Sequence, residues 1–376
     1  ASQAVIDVLS NLSADVTVVG YIRHNDNYCT AANEISAGRR VIETRSSRTY
    51  PLLWLGSSFL QGLPYSVGKF KSKEFVRVVD SLLKTDAYDL VVIDHVQMSW
   101  LVDTAAGRAR TVGLAHNIEH QMYRSFGRDQ SSRLRSWMFR REARLLEKLE
   151  IRFANQVEQM WALTEHDAGY FQGIKENGGV MEIPLPASAT PAEAASVSKE
   201  FDIGLIGSWT WKANEEGLRW FFDTVYPCLP TDISICIAGS GADWLGGRYP
   251  NVRYMGFVDD ARVFLGKARV VAIPTLSGGG IQIKTLDAIA SGSRIVTTPL
   301  ALRGISDPPP TVSAAETAEE FANKLVGAAN AKDTASSTAL ALEWSRQRNT
   351  LCSNQVAAGL HSLFDTPPIV GGRHVS

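Results

Sequence analysis

Pro274-Thr-Leu-Ser-Gly-Gly-Gly-Ile-Gln-Ile-Lys-Thr-Leu-Asp-Ala-Ile-Ala-Ser-Gly292 reads as the end of a buried strand, a three-glycine turn and a helix that stops at a glycine. Successive glycines let backbone N–H groups approach an anion closely, and the helix N-terminus beyond them carries partial positive charge. Lys284 is expected one turn into that helix, where a diphosphate is within reach. Asp287 follows three residues later on the same helical face, suited to accept hydrogen bonds from ribose hydroxyls. A purely structural reading would make the glycines a tight βα turn and the two charges surface residues. The order of strand, glycines, lysine and acid favours anion binding.

Working outward, apolar runs alternate with helical patterns along most of the chain, which points to βα units and mostly parallel sheets. Strands are expected at residues 16–22, 41–44, 90–94, 110–115, 159–163 and 180–183, then at 201–206, 233–238, 252–257, 270–274 and 294–298. Asp89-Leu-Val-Val-Ile-Asp94 is apolar without alternation, as a sheet covered on both faces requires. The longest helical pattern runs over about 132–153, and 334–364 reads as one or two helices. Residues 184–198 are rich in Pro, Ala and Ser and poor in large apolar side chains, the mark of a linker. The expected division is residues 1–186, a linker at 187–200, a second domain at 201–335, helices at 336–364 that return to the first domain, and a loose tail at 365–376. The chain opens in a helical pattern, residues 1–12, where a doubly wound domain opens with a strand. The sequence is therefore expected to be a fragment that lacks the first strand, because an open slot in a parallel sheet is costly.

Bulk properties exclude several classes. A chain of 376 residues exceeds one ordinary core. With 45% hydrophobic and 20% charged residues and a net charge of −1, neither disorder nor a nucleic-acid partner is suggested. Cys29, Cys228, Cys236 and Cys352 lack CxxC spacing, which fits a reducing compartment rather than a zinc site or disulfide framework. No apolar stretch approaches the roughly 20 residues needed to cross a bilayer, and no signal peptide opens the chain. A cytoplasmic location is the simplest expectation.

Three further stretches bear on the pattern. Ile206-Gly-Ser-Trp-Thr-Trp-Lys-Ala-Asn-Glu-Glu-Gly-Leu-Arg-Trp-Phe221 reads as a strand ending in Gly207 and Ser208, a short loop and an amphipathic helix. That loop lies at the carboxyl end of a sheet, where open α/β sheets bind ligands, and Ser208, Lys212 and Asn214 are polar groups suited to phosphates. Trp209 and Trp211 read equally as interface packing. Arg110-Thr-Val-Gly-Leu-Ala-His-Asn-Ile-Glu-His-Gln-Met-Tyr123 places His116 at a strand end, with Glu119 and His120 close behind. Ala238-Gly-Ser-Gly-Ala-Asp-Trp244 begins like a dinucleotide fingerprint but has Trp244 where the third glycine belongs. Gly239 in that turn either borders a nucleotide or serves packing.

Together these stretches resemble the retaining family 4-like glycosyltransferases, in the branch linked to polysaccharide synthesis. Gly280-Ile-Gln-Ile-Lys-Thr-Leu-Asp-Ala-Ile-Ala290 is similar to that branch's GIQxKxLEAMA, the segment from Ile206 to its GSMxWxPNxEGxxWF, and His116 to a strand-end His often found as HNxE. Three departures stand out: Gly279 replaces the family's first Glu, Asp287 its second, and Lys212 a proline. The resemblance implies an α/β fold of two Rossmann-like domains facing a cleft, termed GT-B, with acceptor on the first domain and nucleotide sugar on the second. It implies His116 and Lys284 as catalytic groups. It places the donor on Gly207, Ser208, Lys212, Asn214, Gly278, Gly279, Gly280, Ile281, Gln282 and Asp287, with Glu119 and Gly239 as further candidates. No DxD-type motif stands in a convincing place, so no metal and no cofactor is expected beyond the nucleotide-diphosphate sugar itself. The implied acceptor is a glycan or a lipid-linked molecule in surface or exopolysaccharide synthesis. The alternatives are a sugar-nucleotide epimerase of the same fold and a non-catalytic nucleotide-binding partner subunit.

Residues 121–152 carry nine Arg or Lys against four Asp or Glu, with Leu134, Trp137, Met138, Leu145 and Leu149 interleaved at roughly helical spacing. One reading is a peripheral contact with anionic lipid at the inner face of a membrane, or with a lipid-diphosphate acceptor. The other is a solvated helix whose apolar stripe packs on its own sheet.

Overall fold

The computed structural model describes residues 1–23, 31–40, 50–128, 132–187, 198–331 and 335–365. The chain divides into two compact units, one of Ala1–Ile183 with the chain from Ser353 onward, the other Pro184–Cys352.

In the first unit, β1 (Val18–Arg23) and β2 (Glu34–Arg40) pair as a parallel ribbon. A separate parallel sheet runs in the order β3 (Leu90–Asp94), β4 (Arg110–Ala115), β5 (Gln159–Ala162), β6 (Val180–Glu182). From Thr111 to Ala115 every residue of β4 is buried, which explains its unbroken apolar run. The helices are α1 (Ser2–Asn11), α2 (Tyr50–Gln61), α3 (Tyr65–Phe70), α4 (Lys73–Thr85), α5 (Val102–Ala105), α6 (Glu119–Arg128), α7 (Arg133–Gln156) and α8 (Glu165–Ile174). The Ser72 hydroxyl caps α4 by accepting from the amides of Glu74 and Phe75, and α4 then buries Phe75 and Val79, four residues apart on one face. Ile93, Phe153, Met160 and Phe171 meet in the core between these layers.

The expected strand at 41–44 lies outside the described residues. The strand partnering β1 is instead Glu34–Arg40, whose Ser, Gly and Arg content suits a sheet edge and hides it from an apolar-run search. Helix α7 also corrects the expected stripe. Its buried face carries Glu142, Ala143, Leu146, Glu150 and Phe153, whereas Leu134 and Trp137 are exposed.

The second unit is one six-stranded parallel sheet: β7 (Phe201–Ile206), β8 (Ile235–Ala238), β9 (Val252–Gly256), β10 (Ala268–Ile273), β11 (Arg294–Thr297) and β12 (Val312–Ala314). Its order is β12-β11-β10-β7-β8-β9, so the chain reverses direction across the sheet between β7 and β10. That is the topological switch point, where the carboxyl ends of the strands open a crevice. β12 was not expected from sequence, being three residues long and preceded by three prolines. Helices α9 (Lys212–Trp220), α10 (Ala261–Lys267), α11 (Ile283–Ala290) and α12 (Ala318–Asn330) complete the unit. Ile203, Leu205, Phe221 and Phe321 are fully buried in its core, each contributing about 1.5–3 kcal/mol.

The final helix, α13 (Ala335–Asp365), is a single element. In the second unit its Arg348 donates to the carbonyls of Leu185 and Gly304. In the first, the Gln159 amide donates to the carbonyl of its Gly359. Residues 188–197 of the expected linker and 366–376 of the expected tail lie outside the described residues. No helix among those described is long and apolar enough to cross a membrane.

Candidate functional site

The switch point of the second unit brings its two glycine-containing stretches together. β7 ends at Ile206 and hands the chain to Gly207 and Ser208, while the neighbouring β10 ends at Ile273 and hands it to the glycine loop. The two strand-ends are held at backbone contact. A Cβ on Gly217 would lie 1.8 Å from the Pro274 carbonyl oxygen, so only glycine fits where α9 crosses the root of the loop. Gly239 is packed as closely, since a Cβ there would lie 1.8 Å from the Gly207 carbonyl oxygen. Its amide and carbonyl are bonded to Gly256 and Tyr254, which gives this turn a packing role.

Gly278 and Gly280 both have positive φ, at 119° and 65°, and carry the chain through the turn into α11. The loop extends further than expected. Gln282 is the extended N-cap and Ile283 the first helical residue, so Lys284 sits in the opening turn of α11 rather than one turn inside. The correction follows from the two left-handed glycines, which delay the helical conformation until the chain has cleared the strand end. Ile281 and Gln282 are half-buried beside it.

Lys284 Nζ donates to Asn214 Oδ1 at 2.9 Å, and the Asn214 amide donates to the Ser208 carbonyl at 2.9 Å. Asn214 thus ties the loop after β7 to the first turn of α11. No carboxylate among the described residues pairs with Lys284, and burial lowers its pKa to about 8. A half-buried ammonium with an amide as its partner, at a helix N-terminus, is poised for an anion. Asp287, one turn on, is half-buried, and burial raises its carboxyl above the usual range.

Lys212 is turned to another task, forming an ion pair with Glu216 at 3.3 Å. Glu216 also accepts from the Ser277 hydroxyl at 2.7 Å, and Arg303 donates to the Gly278 carbonyl at 3.2 Å. Glu216 and Arg303, neither expected from sequence, are therefore the tethers of the glycine loop. The Ser208 hydroxyl meets that of Thr210 at 3.0 Å and is exposed. Trp209 lies in the core of this unit with its indole N–H donating to the Ala238 carbonyl, and Trp211 is exposed.

In the first unit, His116 follows β4 and Asp94 ends β3, the neighbouring strand. His116 Nε2 lies 2.6 Å from Asp94 Oδ1, and the His95 ring stacks on that of His116 with centroids 3.8 Å apart. His95 has φ +70°, a conformation that costs a non-glycine residue about 1–3 kcal/mol and collects at functional sites. Burial and the neighbouring His116 hold its pKa down at about 4, so it is neutral near pH 7. Burial pushes the Asp94 carboxyl up, but its bond to His116 and the nearby imidazoles carry it below the ordinary value. Asp94, His95 and His116 offer ligand atoms within 4.8 Å of one another and form the set among the described residues that could hold a metal ion. The sequence signal for this cluster is the adjacent pair Asp94-His95 at the end of an apolar strand.

Glu119 and His120 are both buried at the start of α6. Burial raises the Glu119 pKa to about 7. His120 Nδ1 lies 2.6 Å from the buried Glu150 carboxylate, which also accepts from the Tyr170 hydroxyl, an arrangement that fastens α6 to α7 and α8.

Residues 200–330 match the family model described as glycosyl transferases, group 1. No curated protein sequence matches the chain. Among solved structures, sucrose-phosphate synthase from Thermosynechococcus elongatus is 13% identical with a TM-score of 0.64, over 95% of this chain and 91% of that one. Anabaena Alr3699/HepE in complex with UDP is 15% identical with a TM-score of 0.57, over 77% of this chain and 82% of that one. TarM is 14% identical with a TM-score of 0.54, over 81% of this chain, which spans 61% of the length of TarM. Similarity at these identities establishes the architecture. The protein is built on the two-domain α/β fold of GT-B glycosyltransferases, and the part of its second unit from 200 to 330 is similar to group 1 glycosyl transferases.

Proposed function

We propose that this protein transfers a glycosyl group from a nucleoside-diphosphate sugar, held on the second unit, to a glycan or lipid-linked acceptor. The observation that carries the reading is Lys284, a half-buried cation with no carboxylate partner among the described residues, in the first turn of the helix behind a glycine loop at a sheet switch point. In the reaction the bond between the anomeric carbon and the β-phosphate oxygen breaks and its electron pair passes to the diphosphate. The acceptor oxygen bonds to the anomeric carbon and gives up its proton. Charge grows on the leaving diphosphate, and the Lys284 ammonium and the loop amides around Gly279 and Gly280 are assigned to receive it. Asp287 is assigned to the ribose hydroxyls.

The family match supports transfer from a nucleotide sugar, and the HepE neighbour binds UDP. Retention of anomeric configuration, the polysaccharide-synthesis role and independence of a metal belong to this proposal on the strength of the sequence resemblance. His116, oriented by Asp94, is the first unit's candidate for contact with the reacting sugar. Incubation with UDP-, GDP- and ADP-sugars and a glycan or lipid-linked acceptor, with and without a chelator, tests the reading. Transfer with release of nucleoside diphosphate, undiminished by the chelator, is expected. Isomerisation of the free nucleotide sugar without acceptor would overturn it in favour of an epimerase. Loss of transfer on chelation would overturn the proposed independence of a metal.

A further inference from the structure

The first unit presents an apolar surface flanked by the arginines of α7 that the chemistry above does not use. It is built from the end of α2 and the start of α7. Phe59 and Trp137 stack across the two helices at 6.2 Å, both about half exposed. The Arg141 guanidinium lies 4.0 Å over the Phe59 ring and donates to the Ser58 hydroxyl and carbonyl, each at 3.0 Å, fixing the helices to one another. Beside this joint Leu60 is 90% exposed and Leu134 67%, and Leu53, on the same face of α2 as Leu60, is 65% exposed. Several large apolar side chains exposed around one joint of two helices mark a contact surface.

The charges around it are of one sign. Arg133, Arg135, Arg140 and Arg144 extend along α7 and form no ion pair among the described residues, while α2 carries no charged residue. The three acids of α7 are engaged elsewhere, Glu150 with His120 in the interior. Glu142 is buried and accepts from the amides of Tyr65 and Ser66, and Glu147 pairs with Arg124 at 2.8 Å. Apolar tips with unpaired guanidinium groups beside them complement the interface of an anionic bilayer, where the tips enter the acyl boundary and the arginines meet headgroup phosphates. A protein partner would not call for a surplus of cations with no acid among them. We infer that the first unit docks on an anionic lipid bilayer through Phe59, Leu60, Leu134 and Trp137, with the α7 arginines supplying the electrostatic attraction. The inference stands apart from the assignment of sugar transfer, since no residue in it belongs to the glycine loop or the Asp94–His116 pair.

The test is co-sedimentation of the whole protein with vesicles of phosphatidylcholine alone and of phosphatidylcholine mixed with phosphatidylglycerol, at low and high salt. Binding to the mixed vesicles, weakened by salt, is expected. Arg133→Gln with Arg140→Gln should reduce the partition coefficient roughly fivefold for each charge removed. Leu60→Ser with Leu134→Ser should reduce it at least as much, with an unchanged circular dichroism spectrum and melting temperature. Failure of the wild-type protein to bind mixed vesicles at low salt would overturn the inference. So would equal binding by both folded variants, or a dimer in solution that the leucine variant dissolves. Nucleoside-diphosphate titration of the same preparations reports on the sugar-transfer reading independently.

Discussion

Lys284 Nζ and Asn214 Oδ1 lie 2.9 Å apart, which makes an uncharged amide the partner of a half-buried ammonium at the mouth of the glycine loop. Asn214 holds the lysine in place without neutralising it. Lys284→Ala should leave the fold intact and weaken nucleoside-diphosphate binding by about 1.5–3 kcal/mol, the worth of a charge-assisted hydrogen bond. Asn214→Asp should weaken it as well, because a carboxylate would pair with Lys284 and repel the diphosphate. Calorimetry on both folded variants checks this. Tighter binding by Asn214→Asp would show that the anion lies elsewhere.

The same lysine sets a pH dependence. Burial holds its pKa at about 8, below the ordinary 10.5, so the charged form is disfavoured in the free protein and favoured once a diphosphate is bound. Affinity should therefore fall as pH rises through about 8, with proton uptake on binding near that pH. In Lys284→Ala the fall should disappear, and titrations in buffers of different ionisation enthalpy measure the proton directly.

How much of this was legible in the sequence depended on where the information lay. β4 and β10 were readable because burial on both faces demands an unbroken apolar run, and the loop between β10 and α11 because its glycines and lysine are consecutive. β2 and β12 were not, one being a polar edge and the other three residues beside prolines. The stack of His95 on His116 joins two strand ends, and the bond from Ser277 to Glu216 joins a loop to a helix 61 residues away. Contacts of that kind are made by topology and leave no local pattern. Glu119 and His120 stood in a suggestive motif, yet the first turn of α6 carries both into the interior.

Asp287→Asn should raise the donor Michaelis constant less than Asp287→Ala, because the amide oxygen still accepts one ribose hydrogen bond. Identical constants for both variants and the wild type would remove Asp287 from the donor site.

His116→Ala should lower turnover more than nucleotide affinity, since the groups proposed to bind the nucleotide all lie in the second unit and remain intact. An interaction made mainly in the transition state appears in turnover and not in ground-state binding. Asp94→Asn should give a milder version of the same split, because it weakens the bond that orients the ring. Parallel loss of turnover and melting temperature would make the pair structural.

Glu119 governs a stability profile. Its folded pKa of about 7 lies above the ordinary 4.5, so its contribution favours the native state fully below about 4.5 and is lost as pH rises through 7. Denaturant melts of Glu119→Gln should show a flatter profile over that window than the wild type, and identical slopes would mean that the carboxyl is not held protonated.

The central claim is that the glycine loop and Lys284 bind the diphosphate of a nucleotide. Calorimetric titration of the whole protein with UDP, GDP and ADP, each beside its monophosphate, tests it most directly. One diphosphate is expected to bind at one site per chain, more tightly than its monophosphate, with affinity reduced roughly tenfold to a hundredfold in Lys284→Ala. Absence of binding by all three diphosphates, or equal affinity in the wild type and Lys284→Ala, would contradict the account.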